Sequence, residues 1–210
     1  MKMSSGYFES DYEEAFLALL NSLGWQSISG DELHRKYTDT LLYEDLHIFL
    51  EQRYPDLTPN ELERVIFNLS NTKGDTDYLS LRETALLYLN GFNFRRDDQS
   101  LPDLSINYID FENPKINILR AVNQLTIREH KAERRPDILL FVNGIPLCIL
   151  ELKSPSQQQA TIFDAWEQIH VRYKRDIPTL SLQPQGTIHP AAPSYVVIIS
   201  PLFQDRKSVV

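Results

Sequence analysis

The sequence predicts an α/β chain: a central mixed sheet flanked by helices, with a helical N-terminal extension. Three observations carry that expectation. Up to about residue 100 the apolar residues recur at helical spacing between caps and stops. From Leu104 the pattern turns to Ile-, Leu- and Val-rich runs with period-two polar interruptions. Two apolar runs then flank Asn143-Gly144, the strongest short-range hairpin signal there is. The 210 residues suit one ordinary domain, 1–210, with a mainly helical part to about 100 and a sheet part from about 101, rather than two independent cores.

Glu13 to Leu20 begins a helix of three to four turns that continues to Leu23 and stops at Gly24, with Trp25 packing at its end. A second helix is expected over Leu41 to Arg53. A third starts at Thr58-Pro59-Asn60-Glu61, which sets a cap, a first-turn proline and a capping-box glutamate in the preferred order. A fourth covers Leu79 to Leu89 and stops at Asn90-Gly91. Strands are expected over Leu104 to Phe111 and Ile116 to Ile127, with Pro114 in the turn between them. The hairpin comprises Asp137 to Val142 and Ile145 to Lys153. Both faces of both runs are apolar, which puts the hairpin in the middle of a sheet covered on each side. A helix over Gln157 to Lys174, a loop over Ser181 to Pro193 and a buried strand over Tyr195 to Ser200 complete the order.

Composition removes several classes of function. Hydrophobic residues make up 42% and charged residues 24%, the balance of a globular chain. No apolar run approaches the ~20 residues that cross a bilayer, and nothing at the start reads as a signal peptide, so no membrane partner and a cytoplasmic location are expected. Cys148 is the single cysteine; it allows neither a disulfide framework nor a multi-cysteine zinc site and reads as a small core residue. His34, His47, His130, His170 and His189 show no paired ligand spacing. The absence of any Gly-Lys pair excludes the phosphate loop of an ATP-driven motor. The net charge of −8 argues against a general nucleic-acid coat. The average hides a gradient, since residues 128–175 carry eight Lys/Arg against six Asp/Glu.

The chemistry gathers at the hairpin ends. Glu151 and Lys153, two apart on a strand, share a face roughly 6.5 Å apart along the backbone, and Asp137 arrives from the neighbouring strand. Two carboxylates brought together repel unless a cation lies between them, and Mg²⁺ is a hard, oxygen-seeking ion suited to that place. Lys153 could orient a water or steady charge on a phosphorus centre. Register decides whether the site exists. A strict two-residue loop would set Val142 against Ile145 and Asp137 against Leu150, splitting the carboxylates between faces and abolishing the site. An odd loop, Val142-Asn143-Gly144 with a bulge at Gly144, pairs Asp137 with Ile149 and reunites them, so the bulged, odd-length loop is expected. Pro146, without an N–H to donate, weakens a regular ladder there.

The run Arg135-Pro136-Asp137 to Glu151-Leu152-Lys153-Ser154-Pro155 resembles the PD-(D/E)XK nuclease motif. In detail the chain resembles the N-terminal nuclease domain of the R subunit of type I restriction enzymes, over roughly residues 9–176. Glu13 to Trp25 is similar to that family's opening helix, Val122-Asn123-Gln124 to its first core strand, and Val142 to Leu147 to its hairpin. The resemblance implies a restriction-endonuclease-like fold and a metal-dependent DNA endonuclease. It implies that Asp137 and Glu151 bind Mg²⁺, or Mn²⁺ in its place, that Lys153 is the catalytic lysine and that Glu13 completes the acidic cluster. It also implies double-stranded DNA, with the specificity and modification subunits of a restriction complex, as partners, and ATP use only through a motor domain that this sequence lacks. One departure stands out. The family pairs a Gln with a Tyr four residues later on the helix after the lysine, whereas here Gln168 is followed by Tyr173. Residues five apart share an α-helical face poorly, so a local irregularity must restore the face or one of the two is unused.

Each feature has a plainer reading. Asp137, Glu151 and Lys153 could be an ion pair at strand ends. Ser10 with Glu13 also makes a capping box. Arg134, Arg135, Arg172, Lys174 and Arg175 are candidates for DNA phosphate contact, and equally for a solvated basic face. A nuclease-like docking module for partner subunits, and a free-standing defence nuclease, remain as alternatives. Convergence or splitting of the carboxylates separates enzyme from docking module.

Overall fold

The computed structural model describes residues 9–71, 77–153, 167–181 and 195–199. Helix α1, Glu9–Ser22, ends at Gly24, whose φ of 93° belongs to the left-handed region. The Trp25 N–H reaches back to the Leu20 carbonyl (3.0 Å) and the Gly24 N–H to the Asn21 carbonyl (3.1 Å). This is a Schellman stop, and it turns the chain directly into strand β1, Gln26–Ser29. Helices α2, Tyr43–Arg53, α3, Pro59–Ser70, and α4, Asp77–Asn90, follow. The capping box that opens α3 is present in both halves: Glu61 N–H donates to Thr58 Oγ1, and Thr58 N–H to Glu61 Oε2. Glu61 goes further than a cap. Buried at 1% exposure, it also accepts from Arg96 Nε (3.0 Å) and Asp97 N–H (2.9 Å), which pins the loop after α4 to α3.

The expected strand over Leu104 to Phe111 is realised only as β3, Leu104–Ile106, paired antiparallel with the unforeseen β2, Phe92–Phe94. Beyond Ile106 the buried Asp110 carboxylate accepts the N–H groups of Glu112 (3.0 Å) and Asn113 (2.7 Å). That local turn competes successfully with a strand. The expected strand over Ile116 to Ile127 is likewise divided. A 3-10 turn at Pro114–Ile116 precedes β4, Leu119–Asn123, which stops at Gln124 with φ of 54°. Ile127 then opens a small separate hairpin, β5, Ile127–Glu129, with β6, Ala132–Arg134.

The central sheet is mixed. Its five strands run in the order β1, β4, β7 (Ile138–Val142), β8 (Ile145–Lys153), β9 (Tyr195–Ile199). β1 lies parallel to β4 and every other pair is antiparallel. The hairpin β7–β8 therefore sits inside the sheet, as two apolar faces require. One face, with Ala121, Ile138, Cys148, Leu150 and Leu152, packs under Leu20 and the half-buried Tyr12, Phe16 and Leu17 of α1. The other, with Val122, Leu139, Phe141 and Ile149, packs under Ile169, Tyr173, Ile177 and Leu180. A further core joins α2, α3 and α4 to the hairpin tip through Val142 and Ile145. Helical structure over 167–176 agrees with the end of the expected Gln157 to Lys174 helix; residues 157–166, Ser200 and most of the expected loop over 181–193 lie outside the described residues.

The expected odd-length loop is corrected by the register. Val142 pairs with Ile145, so Asn143 and Gly144, with φ of 51° and 77°, form a two-residue turn of the type that needs left-handed backbone at both positions. Asn143 is fully buried, donating to the Tyr108 carbonyl and Asn117 Oδ1 and accepting from Ile118 N–H. A Cβ on Gly144 would lie 2.1 Å from the Leu42 carbonyl oxygen, so only glycine fits. The odd residue is elsewhere. Phe141 pairs with Pro146 but Leu140 with Cys148, which leaves Leu147 as a bulge beside the proline that cannot complete the ladder. Asp137 consequently falls opposite Glu151, continuing the Ile138–Leu150 pair, and not opposite Ile149, whose partner is Leu139.

Candidate active site

Asp137 and Glu151 come from facing positions of neighbouring strands and share the face occupied by Leu139, Ile149 and Tyr173. Glu151 is 1% exposed. Burial at this level demands donors. Gln168 Nε2 donates to Glu151 Oε2 at 2.7 Å, and the Tyr173 hydroxyl donates to Oε1. Asp137 is held at both ends: Oδ2 accepts the Leu152 N–H at 2.7 Å, and its carbonyl accepts the Gln124 N–H at 2.9 Å.

The five-residue spacing of Gln168 and Tyr173 is resolved by backbone. Gln168–Tyr173 is a π-helical segment, which continues as α-helix over Lys174–Asp176. A π turn bonds i to i+5, so residues five apart come onto one face. Gln168 Nε2 also contacts the Tyr173 hydroxyl at 3.0 Å, so both side chains meet over Glu151. Burial, and then the negative charge of Glu151, push the Tyr173 hydroxyl far above the ordinary phenol range. It therefore remains a protonated donor.

Glu13 reaches the strand ends indirectly. Its two carboxylate oxygens accept from Asn123 Nδ2 (2.8 Å) and Gln124 Nε2 (2.9 Å), and Gln124 in turn holds Asp137. Among the described residues no set of three acidic, histidine or cysteine side chains converges closely enough to hold a metal, so the acidic core is the Asp137–Glu151 pair with Glu13 linked through one residue. Lys153 closes β8 opposite Tyr195; its side chain lies outside the described residues. The pair has suitable chemistry for a divalent ion. It presents hard oxygen donors, and the groups named above that orient them are neutral N–H and O–H donors that leave the negative charge in place.

An open cleft of about 320 Å³, lined by Glu133, Arg134, Arg135, Arg172, Gln168 and Tyr173, adjoins the pair. Its arginines are anchored by acids. Arg134 pairs with Asp176, Arg135 with Asp31 at 2.9 Å, and Arg172 approaches Glu167 at 4.0 Å. Asp176, bonded first by Arg175 and then by Arg134, is held down to about 2. Lys174 is exposed. Nothing in the sequence pattern marks Asp176, and Asn123 and Gln124 stand out there only as part of a core strand; each joins this network through tertiary contact. A larger hollow of about 390 Å³ between β1 and α2 has the Asp45–Arg120 ion pair in its wall and lies apart from the carboxylates.

A mixed sheet flanked by helices, with paired carboxylates at the ends of its central hairpin, is a restriction-endonuclease-like fold. Residues 6–186 match the family described as the type I restriction enzyme R protein N terminus, and the chain belongs to that family. It is 31% identical over 192 residues to the type I restriction enzyme HindI endonuclease subunit of Haemophilus influenzae, covering 86% of this chain and 18% of that protein. To the type I restriction enzyme SauCOLORF180P endonuclease subunit of Staphylococcus aureus it is 24% identical over 176 residues, 80% of this chain and 17% of that protein. The chain thus spans under a fifth of the length of these relatives.

Proposed function

We propose that this chain is the endonuclease region of a type I restriction system and hydrolyses DNA phosphodiester bonds with a divalent metal, as a PD-(D/E)XK nuclease. The single observation that carries this reading is the register that sets Asp137 opposite Glu151 beneath Gln168 and Tyr173. Asp137 and Glu151 would hold Mg²⁺, with Mn²⁺ able to replace it. The ion supplies Lewis acidity for attack on phosphorus. Leu152 N–H, Gln168 and Tyr173 fix the carboxylate orientations, and Glu13 adds negative charge from α1. Lys153 is the residue proposed to steady charge on the phosphate. Arg134, Arg135, Arg172 and Lys174 border the cleft and the following helix and would meet backbone phosphates, positioning DNA without reading its sequence.

In this reading recognition belongs to specificity and modification subunits, ATP use to a motor region outside these residues, and the setting is the cytoplasm. An acidic chain then gains its DNA by delivery rather than by its own field. The test is Mg²⁺-dependent cleavage of plasmid DNA by the chain alone and with its partner subunits. Loss of cleavage in both Asp137→Ala and Glu151→Ala is expected, and cleavage that survives either substitution refutes the assignment.

A further inference from the structure

We propose that Gln124 is a positioning residue of the acidic site, holding Glu13, Asp137 and Arg135 in one arrangement from a strained backbone. The proposal rests on the reading of Asp137 and Glu151 as a metal site.

Gln124 follows the last residue of β4 with φ of 54°. A non-glycine residue pays free energy for that conformation, and it persists where surrounding structure leaves no alternative. Here the surroundings are explicit. Leu125, the next residue, is buried at 1% exposure in the core with Ile169 and Tyr173. From the other side Gly30 presses so closely that a Cβ there would stand 2.7 Å from the Gln124 carbonyl oxygen and 2.6 Å from Leu125 Cα.

From this fixed turn three polar groups of Gln124 meet a site residue or a neighbour of one. Its N–H donates to the Asp137 carbonyl (2.9 Å), its carbonyl accepts Arg135 Nε (2.9 Å), and its side-chain Nε2 donates to Glu13 Oε2 (2.9 Å). The first two bonds need only a backbone, and the turn itself would be served better by glycine or asparagine. Only the third needs a glutamine, whose length reaches Glu13 while Asn123 takes the other oxygen. Both donors are neutral amides. They fix the carboxylate without cancelling its charge, which suits a site that must attract a cation.

The experiment is a calorimetric titration of Mn²⁺ alone into the full chain, for wild type, Gln124→Gly and Gln124→Asn, each repeated in a Glu13→Gln background, with metal-free thermal midpoints alongside. Both substitutions keep the backbone bonds and shorten or remove the reach to Glu13. Midpoints at or above wild type are expected, with Mn²⁺ affinity weakened about tenfold or more. In the Glu13→Gln background that weakening should shrink to about twofold or less, because the carboxylate being positioned is gone. Equal affinity in wild type and both variants overturns the proposal. An affinity loss that is undiminished in the Glu13→Gln background makes Gln124 merely structural and overturns it too. A wild-type chain that takes up no Mn²⁺ overturns the metal reading itself, and the proposal with it.

Discussion

Tyr173→Phe isolates the contact that makes the π-helical turn intelligible. The substitution keeps the ring that packs with Val122, Leu139 and Ile149 and removes only the hydroxyl that donates to Glu151 and contacts Gln168. No cavity larger than one oxygen results. A hydrogen bond to a charged group contributes about 1.5–3 kcal/mol. Water cannot replace it easily, because Glu151 and Tyr173 are each 1% exposed. Gln168 Nε2 at 2.7 Å keeps its own bond to the carboxylate. A loss of about 2 kcal/mol is therefore expected in metal-free urea unfolding, read by circular dichroism. Tyr37→Phe, on an exposed side chain, is the control and should stay within about 0.5 kcal/mol. In a Glu151→Gln background the Tyr173→Phe loss should fall to about 1 kcal/mol, the scale of a neutral bond. A loss below about 0.5 kcal/mol for Tyr173→Phe in the otherwise native chain would refute the view that this hydroxyl secures the buried carboxylate.

Deleting the exposed Val171 shortens the Gln168–Tyr173 spacing to four and should convert the π turn to α-helix with both side chains still over Glu151; urea stability within about 1 kcal/mol of wild type is expected, and global unfolding would contradict it. Glu61, held at about 2 by its bond to Arg96 and by the Thr58 and Asp97 N–H groups, has a folded value below its ordinary 4.5, so its stabilising effect is complete above 4.5 and is lost as pH falls toward 2. The stability gap between wild type and Glu61→Gln should accordingly narrow between pH 4.5 and pH 2 in urea titrations, and a gap independent of pH over that window would refute it.

The parts of the fold that were legible in the sequence are those decided by neighbouring residues. Thr58 to Glu61 encodes a capping box by residue type alone, Gly24 encodes a left-handed stop, and Asn143-Gly144 encodes a turn. What escaped is decided at a distance. β1 is four residues, Gln26–Ser29, with one aliphatic side chain, and it exists because β4 lies beside it. The odd residue of the hairpin is Leu147, set by Pro146 and by the buried Asn143 that locks the tip, and not the third loop residue that Asn143-Gly144 suggests in isolation. The carboxylates were readable as a pair, and their shared face was expected by a different route from the one the chain takes. The five-residue spacing of Gln168 and Tyr173 signals an irregularity, but its π form is set by a carboxylate 17 positions before Gln168 and 22 before Tyr173 that takes donors from both. Gln124 is the extreme case, a residue type that disfavours the conformation it adopts.

The central claim is that Asp137 and Glu151 form one divalent-metal site. Calorimetric titration of Mg²⁺ or Mn²⁺ into the wild-type chain, Asp137→Ala and Glu151→Ala tests it most directly. Binding in the wild type that disappears in both variants is the predicted result. Absence of binding, or binding that either variant retains unchanged, would contradict the claim and return the chain to the reading of a nuclease-like docking module.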